Sequence, residues 1–180
     1  MKRLLIILVI SFILSHGLIS QAHARSKTAF GVFGGTTNPD DRLSEKYDEK
    51  SYLGLKYGAS LVGGGFEVSY LRAGFDRTGK KGDKYDLTID CLNVGFHSGA
   101  PVNRYIIPFV SLGVGYYMPD SGKDRPGLDA GAGLIFIIYD SEIDDSYFTT
   151  TLDLSGVYHD ISGDDLDFYE LRSGITFHFD

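Results

Sequence analysis

A handful of histidines, one cysteine and several carboxylate clusters carry the chemistry open to this 180-residue chain. His159, Asp160 and Ser162 fall close together, and His97 is followed directly by Ser98. A hydrolase needs a nucleophile and a base in contact, usually with a third group that orients the base. Neighbours in a strand point to opposite sides, which separates His97 from Ser98. His159 and Ser162 straddle a predicted loop. Both sets are read as rim and loop residues, His178 is placed at the opposite mouth, and no catalytic residue is assigned. The acids group as Asp40 and Asp41; Glu142, Asp144 and Asp145; and Asp164, Asp165 and Asp167. Oxygen-rich clusters can hold calcium, but none of these has EF-hand spacing. They are read as a solvated face, with no metal site. Cys91 is the only cysteine, which excludes an intramolecular disulfide and a thiolate metal cluster. The glycines lie in strands or tight turns with no helix after them, so no phosphate loop is formed and no cofactor is expected.

The elements that would position these groups are strands. From Tyr169 to Phe179, the residues Tyr169, Leu171, Ile175, Phe177 and Phe179 alternate with Glu170, Arg172, Gly174, Thr176 and His178. Period two over that length predicts a strand with one apolar face. The same reading gives strands at about 27–37, 51–61, 64–76, 84–97, 105–118, 127–139, 146–159 and 167–179. In the second, Leu53, Leu55, Tyr57 and Ala59 oppose Gly54, Lys56 and Gly58. In the fifth, Leu112, Val114 and Tyr116 oppose Ser111, Gly113 and Gly115. The fourth changes face, from Leu87, Ile89 and Cys91 to Leu92, Val94 and Phe96, and a bulge near Cys91 or Leu92 is expected there. Arg72 interrupts the apolar face of the third and is expected above the lipid band.

Met1 to Ala24 reads as a cleaved secretory signal peptide: a basic start, an apolar run from Leu4 to Leu14, and small residues at Ala22 and Ala24. Residues 25–180 then form one domain. Its 15 basic residues against 24 acidic ones, after Lys2 and Arg3 are removed, give a formal charge of −9. That sign disfavours a nucleic-acid partner.

Eight antiparallel strands, longer polar loops on one side and shorter links on the other predict an all-β, up-and-down barrel. An even strand number puts both chain ends on the same side. Periodicity alone does not say whether the apolar face is inside or outside. Strand length, tyrosine and phenylalanine at strand ends, and an interior poor in bulky apolar groups favour a transmembrane β-barrel. Lys56, Glu67, Asp153, Glu170 and Arg172 then face the lumen, where they must pair, with Asp153 in reach of Arg172. Eight strands leave a bore just wide enough for side chains, so a polar plug of paired charges is expected.

The last residues also resemble the C-terminal signal by which bacterial outer-membrane barrels are recognised for assembly. It is carried by Arg172, Gly174, Phe177 and Phe179, with Asp180 added after the usual final aromatic residue. With the strand pattern, this makes the chain similar to the small eight-stranded outer-membrane barrels, such as the transmembrane domain of outer membrane protein A and outer membrane protein X. The resemblance implies a Gram-negative outer membrane, contact with outer-membrane lipid and lipopolysaccharide, and delivery by the barrel assembly machinery. A monomer is expected. Lys80, Lys81, Lys84 and Lys123 are candidate partners of lipopolysaccharide phosphates. A structural or surface-interaction role is the leading expectation. A narrow channel or transporter, a lipid A-modifying enzyme and a soluble periplasmic ligand-binding barrel are the alternatives. The lipid A deacylase family places His and Ser two apart on one strand face, a spacing that His159 and Ser162 break.

Overall fold

The computed structural model describes residues 27–48, 50–61, 64–77, 87–143, 146–163 and 166–179. The predicted signal peptide, Asp144, Asp145, Asp164, Asp165, Asp180 and the loop lysines Lys80, Lys81 and Lys84 lie outside them, as do the side chains of Asp41 and Glu142.

Alternating apolar and small residues build a wall of long strands. These are β1 (Lys27–Pro39), β3 (Lys50–Leu61), β4 (Gly64–Arg77), β5 (Leu87–Gly99), β6 (Ile106–Pro119), β7 (Arg125–Ile143), β8 (Ser146–Ile161) and β9 (Phe168–Phe179). Each is antiparallel to its neighbours, and β9 pairs with β1 from Thr28↔Phe179 to Pro39↔Phe168. The sheet therefore closes into an eight-stranded barrel and has no free edge among its wall strands. The two ends of the described chain meet on the turn side, as an even strand count requires. Glycines let the wall curve and strands approach. At Gly35 a Cβ would lie 1.8 Å from the carbonyl oxygen of Leu171, so any side chain there would force β1 and β9 apart.

Two small elements sit between β1 and β3, in what reads from sequence as plain loop. Helix α1 (Asp41–Ser44) is held by the Asp40 carbonyl, which accepts from the amides of Leu43 and Ser44. Strand β2 (Tyr47–Asp48) adds two pairs to the top of β4.

The side-chain distribution is that of a soluble protein turned inside out. Leu55, Val68, Val94, Val114, Leu128 and Leu154 are exposed on the outer wall, and polar side chains such as Asp153, Glu170 and Thr176 are buried in the lumen. A contiguous apolar exterior of this extent needs an apolar solvent. Aromatic residues edge it at both ends. On the loop side, the hydroxyls of Tyr70, Tyr116 and Tyr158 donate to Asp90, Asp124 and Asp167, respectively. On the turn side, Phe66 packs on Phe96 and Phe148 stacks on Phe177, with ring centroids 5.2 and 6.2 Å apart. Arg72 is on the outer face next to this loop-side girdle, where Nε and Nη2 bond both carboxylate oxygens of Asp90 at 2.9 and 3.0 Å.

Two expectations are corrected here. Strand β5 pairs without interruption with both β4 and β6, so there is no bulge at Cys91 or Leu92. Leu87, Ile89 and Cys91 face inward instead, while Leu92 and Val94 face out. The irregularity is in β7, where the register with β8 shifts between Ile137 and Tyr139. The interior is also not poor in bulky apolar groups throughout. Phe33, Leu71, Phe75, Ile89, Ile161 and Phe168 form a buried cluster at the loop end, and Leu43 of α1 is seated in it. The apolar residues of β5 switch from its inner to its outer face because the content of the lumen changes with depth: apolar near the loops, polar below.

Candidate functional site: the lumen

Alternation places Tyr52, Tyr117, His159, Glu170 and Arg172 on the inner wall just beneath the apolar cluster. Arg172 Nε donates to Glu170 Oε1 at 2.6 Å and Nη2 donates to Oε2 at 3.2 Å. The Tyr52 hydroxyl donates to the same carboxylate. His159 Nε2 lies 2.9 Å from Glu170 Oε2, and its Nδ1 lies 2.9 Å from the Tyr117 hydroxyl. A carboxylate only accepts, so Nε2–H donates to Glu170, and Nδ1 is paired with the Tyr117 hydroxyl. Glu67 is a second, longer partner of Arg172, at 3.7 Å. The network meets the apolar cluster through rings. The Arg172 guanidinium lies 4.2 Å from the Phe33 centroid, and His159 stacks on Phe168 at 4.4 Å.

A second group lies nearer the turns. Lys56 Nζ donates to Asp153 Oδ2 at 2.5 Å, and Asp153 also accepts from Thr176 and Thr151. His178 sits beside it, with Nε2 3.3 Å from the Thr151 hydroxyl. Between the groups is a cavity of about 60 Å³, whose lining includes Lys56, Asn93, His97, Asp129 and Arg172.

The five expected lumen charges thus divide into two sets. Glu67, Glu170 and Arg172 come together, and Lys56 and Asp153 form a separate pair. The expected reach of Arg172 to Asp153 is not the pairing found: Lys56, with a long flexible stem, reaches Asp153 from β3. His159 is not a rim residue, since it is fully buried in the network, and His178 is 5% exposed inside the lumen. Asp160 and Ser162 are exposed on the loop side and make no contact of a catalytic triad with His159. Sequence reasoning misses Asn93 and Asp129 and counts Tyr52 and Tyr117 with the aromatic residues of the strand-end girdles, whereas both tyrosines are buried in the lumen. The signal was available: each has the inward parity of its strand, but each follows or precedes apolar residues that draw the eye to the other face.

The residues of the expected assembly signal lie on the closing strand. Phe177 and Phe179 face outward and Gly174 inward, where a Cβ would meet Phe33.

Comparison with solved structures places this architecture among the small outer-membrane barrels. Neisserial surface protein A superposes with a TM-score of 0.63 at 12% identity, over 83% of this chain and 95% of that one. Ail, the attachment invasion locus protein of Yersinia pestis, gives 0.53 at 18% identity, over 87% and 99%. The backbone structure of Ail in a phospholipid bilayer nanodisc gives 0.52 at 16% identity, over 86% and 100%. No protein-family model matches the chain, and no curated protein matches it in sequence. The chain has the eight-stranded β-barrel fold of these outer-membrane proteins, and its apolar outer wall and polar lumen independently call for a transmembrane setting.

Proposed function

We propose that this barrel is a closed outer-membrane protein that acts at the surface through its loop end. The observation that carries this reading is the stacking of an apolar stopper on a hydrogen-bonded charge network inside an eight-stranded bore. Such a bore is filled by side chains. Membrane stability and contact through the loops are then its two means of action. Purified barrel in planar bilayers should give no stable, large conductance steps, while unboiled electrophoresis of the outer-membrane fraction should show a heat-modifiable band. Regular large steps would replace the closed barrel by a channel.

We also assign Arg172, Gly174, Phe177 and Phe179 to recognition by the assembly machinery, with lipid and lipopolysaccharide as the surroundings of the mature wall. Among the described residues, Phe179 is the last paired on both sides of β9, opposite Thr28 and Phe148. Deletion of Phe179 and Asp180 should reduce the heat-modifiable fraction in cells several-fold, and deletion of Asp180 alone should leave most of it. Equal loss in both would point to chain length rather than the aromatic residue.

A further inference from the structure

The lumen of the described residues carries an imbalance of charge. Glu67, Asp129, Asp153 and Glu170 face it as four carboxylates, against two fixed cations, Lys56 and Arg172. Lys56 is taken by Asp153, and Arg172 by Glu170 and Glu67. Asp129 has none of these partners, and its Oδ2 is buried with no hydrogen bond among the described residues.

A second acceptor is in the same condition. Asn93 is 5% exposed, lines the same cavity, and its Oδ1 is also buried without a hydrogen bond among the described residues. The two oxygens lean over the same strand from opposite sides. Asn93 pairs with Gly115 across β5 and β6, and Asp129 pairs with Gly113 across β7 and β6. A Cβ on Gly115 would lie 2.3 Å from Asn93 Oδ1, and one on Gly113 would lie 2.6 Å from Asp129 Oδ1. The absent side chains at Gly113 and Gly115 are the room these oxygens occupy. Residues two apart on one strand face are roughly 7 Å apart. A carboxylate and an amide oxygen therefore lie over one glycine floor, beside a cavity with more carboxylates than fixed cations.

Hard oxygen acceptors of this kind suit a small cation with few constraints on geometry. We infer that the lumen binds a small monovalent cation between Asp129 and Asn93, entering from the turn side. Entry from the other end is opposed by the apolar cluster around Leu71, Phe75 and Phe168. Such a cation would sit against Asp129, which forms no direct ion pair with the lumen cations Lys56 and Arg172. Only two oxygens with strong claims are present, so the remaining coordination is left to water, and a divalent ion that demands several carboxylates is disfavoured.

The test is thermal unfolding of the detergent-refolded barrel, read by the heat-modifiable gel shift, in sodium, potassium or N-methyl-D-glucamine chloride at equal ionic strength. Sodium or potassium should raise the midpoint by several degrees in a saturable way, and the bulky organic cation should not. Asp129→Asn should fold and lose that dependence, because it keeps shape and removes charge. Crystals soaked in thallium(I) should place an anomalous peak within bonding distance of Asp129 in the parent and none in Asp129→Asn. An unchanged midpoint in all three salts, with no thallium peak, would mean that water or a proton satisfies these oxygens and would overturn the site. A salt response retained in full by Asp129→Asn would overturn it equally.

Discussion

Replacement of Arg172 by Met is expected to destabilise the folded barrel by about 3–5 kcal/mol, the usual cost of stranding one member of a buried ion pair. Glu170 is fully buried, and its side chain accepts from Arg172 through both oxygens. Without the guanidinium, His159 and Tyr52 remain as hydrogen-bond partners of Glu170, but neither is a permanent cation. Urea unfolding followed by gel mobility or circular dichroism gives the number. The double variant Glu170→Gln with Arg172→Met should recover a large part of the loss, since it removes the stranded charge. If Arg172→Met alone costs no more than an exposed substitution, the network is ornamental and the apolar cluster above it carries the stability of the lumen.

The second large effect comes from the outside of the wall. Val114 is 57% exposed on β6, between Val94 of β5 and Leu128 of β7. Changing it to Arg should cost about 2–4 kcal/mol in lipid, as a cation near the bilayer midplane does in other barrels. The same substitution at a solvent-facing strand position of a soluble barrel would be near neutral. The contrast makes Val114→Arg a direct measure of which solvent the wall meets. Refolding yield in phospholipid vesicles and the urea midpoint there are the two readouts, and an unchanged midpoint would remove lipid from the surroundings of Val114.

Much of the wall was legible in the sequence because a barrel of this kind has one dominant rule, alternation. Tyr169 to Phe179 obeys it, and the structure places Tyr169, Leu171, Ile175, Phe177 and Phe179 outside and Glu170, Gly174, Thr176 and His178 inside. The rule fails where an inner position is itself apolar. Leu87, Ile89 and Cys91 imitate a lipid-facing run, and only the third dimension shows that they sit under α1 in the stopper. Helix α1 is a single turn, too short for periodicity to declare it. Its only marks are an exposed-looking acidic start and the single apolar Leu43.

The lumen was legible by parity and not by partnership. Lys56, Glu67, Asp153, Glu170 and Arg172 all lie where alternation puts them, but a strand pattern does not say which of five charges meet across a bore. Tyr52 and Glu170 are 118 residues apart in sequence, and Lys56 and Asp153 are 97 apart. His159 was hidden for a different reason. Strand β8 runs to Ile161, so a residue expected at a loop edge is well inside the wall. Boundaries of a strand are the least certain part of a pattern, and here two residues of strand length decided whether an imidazole met water or a buried carboxylate.

The contact between Glu170 and Arg172 has a meaning for the order of assembly. These residues are two apart on the same face of β9, so their bond forms within one strand. Tyr52, Glu67 and His159 add theirs only when β3, β4 and β8 are in place around it. The last strand thus arrives at the seam with its acid and base already neutralised by each other. A zwitterionic strand is easier to slide along a hydrocarbon-lined gap than one with two naked charges. Closure then adds hydrogen bonds one neighbour at a time, and none of the intermediate stages has to bury a lone charge of β9.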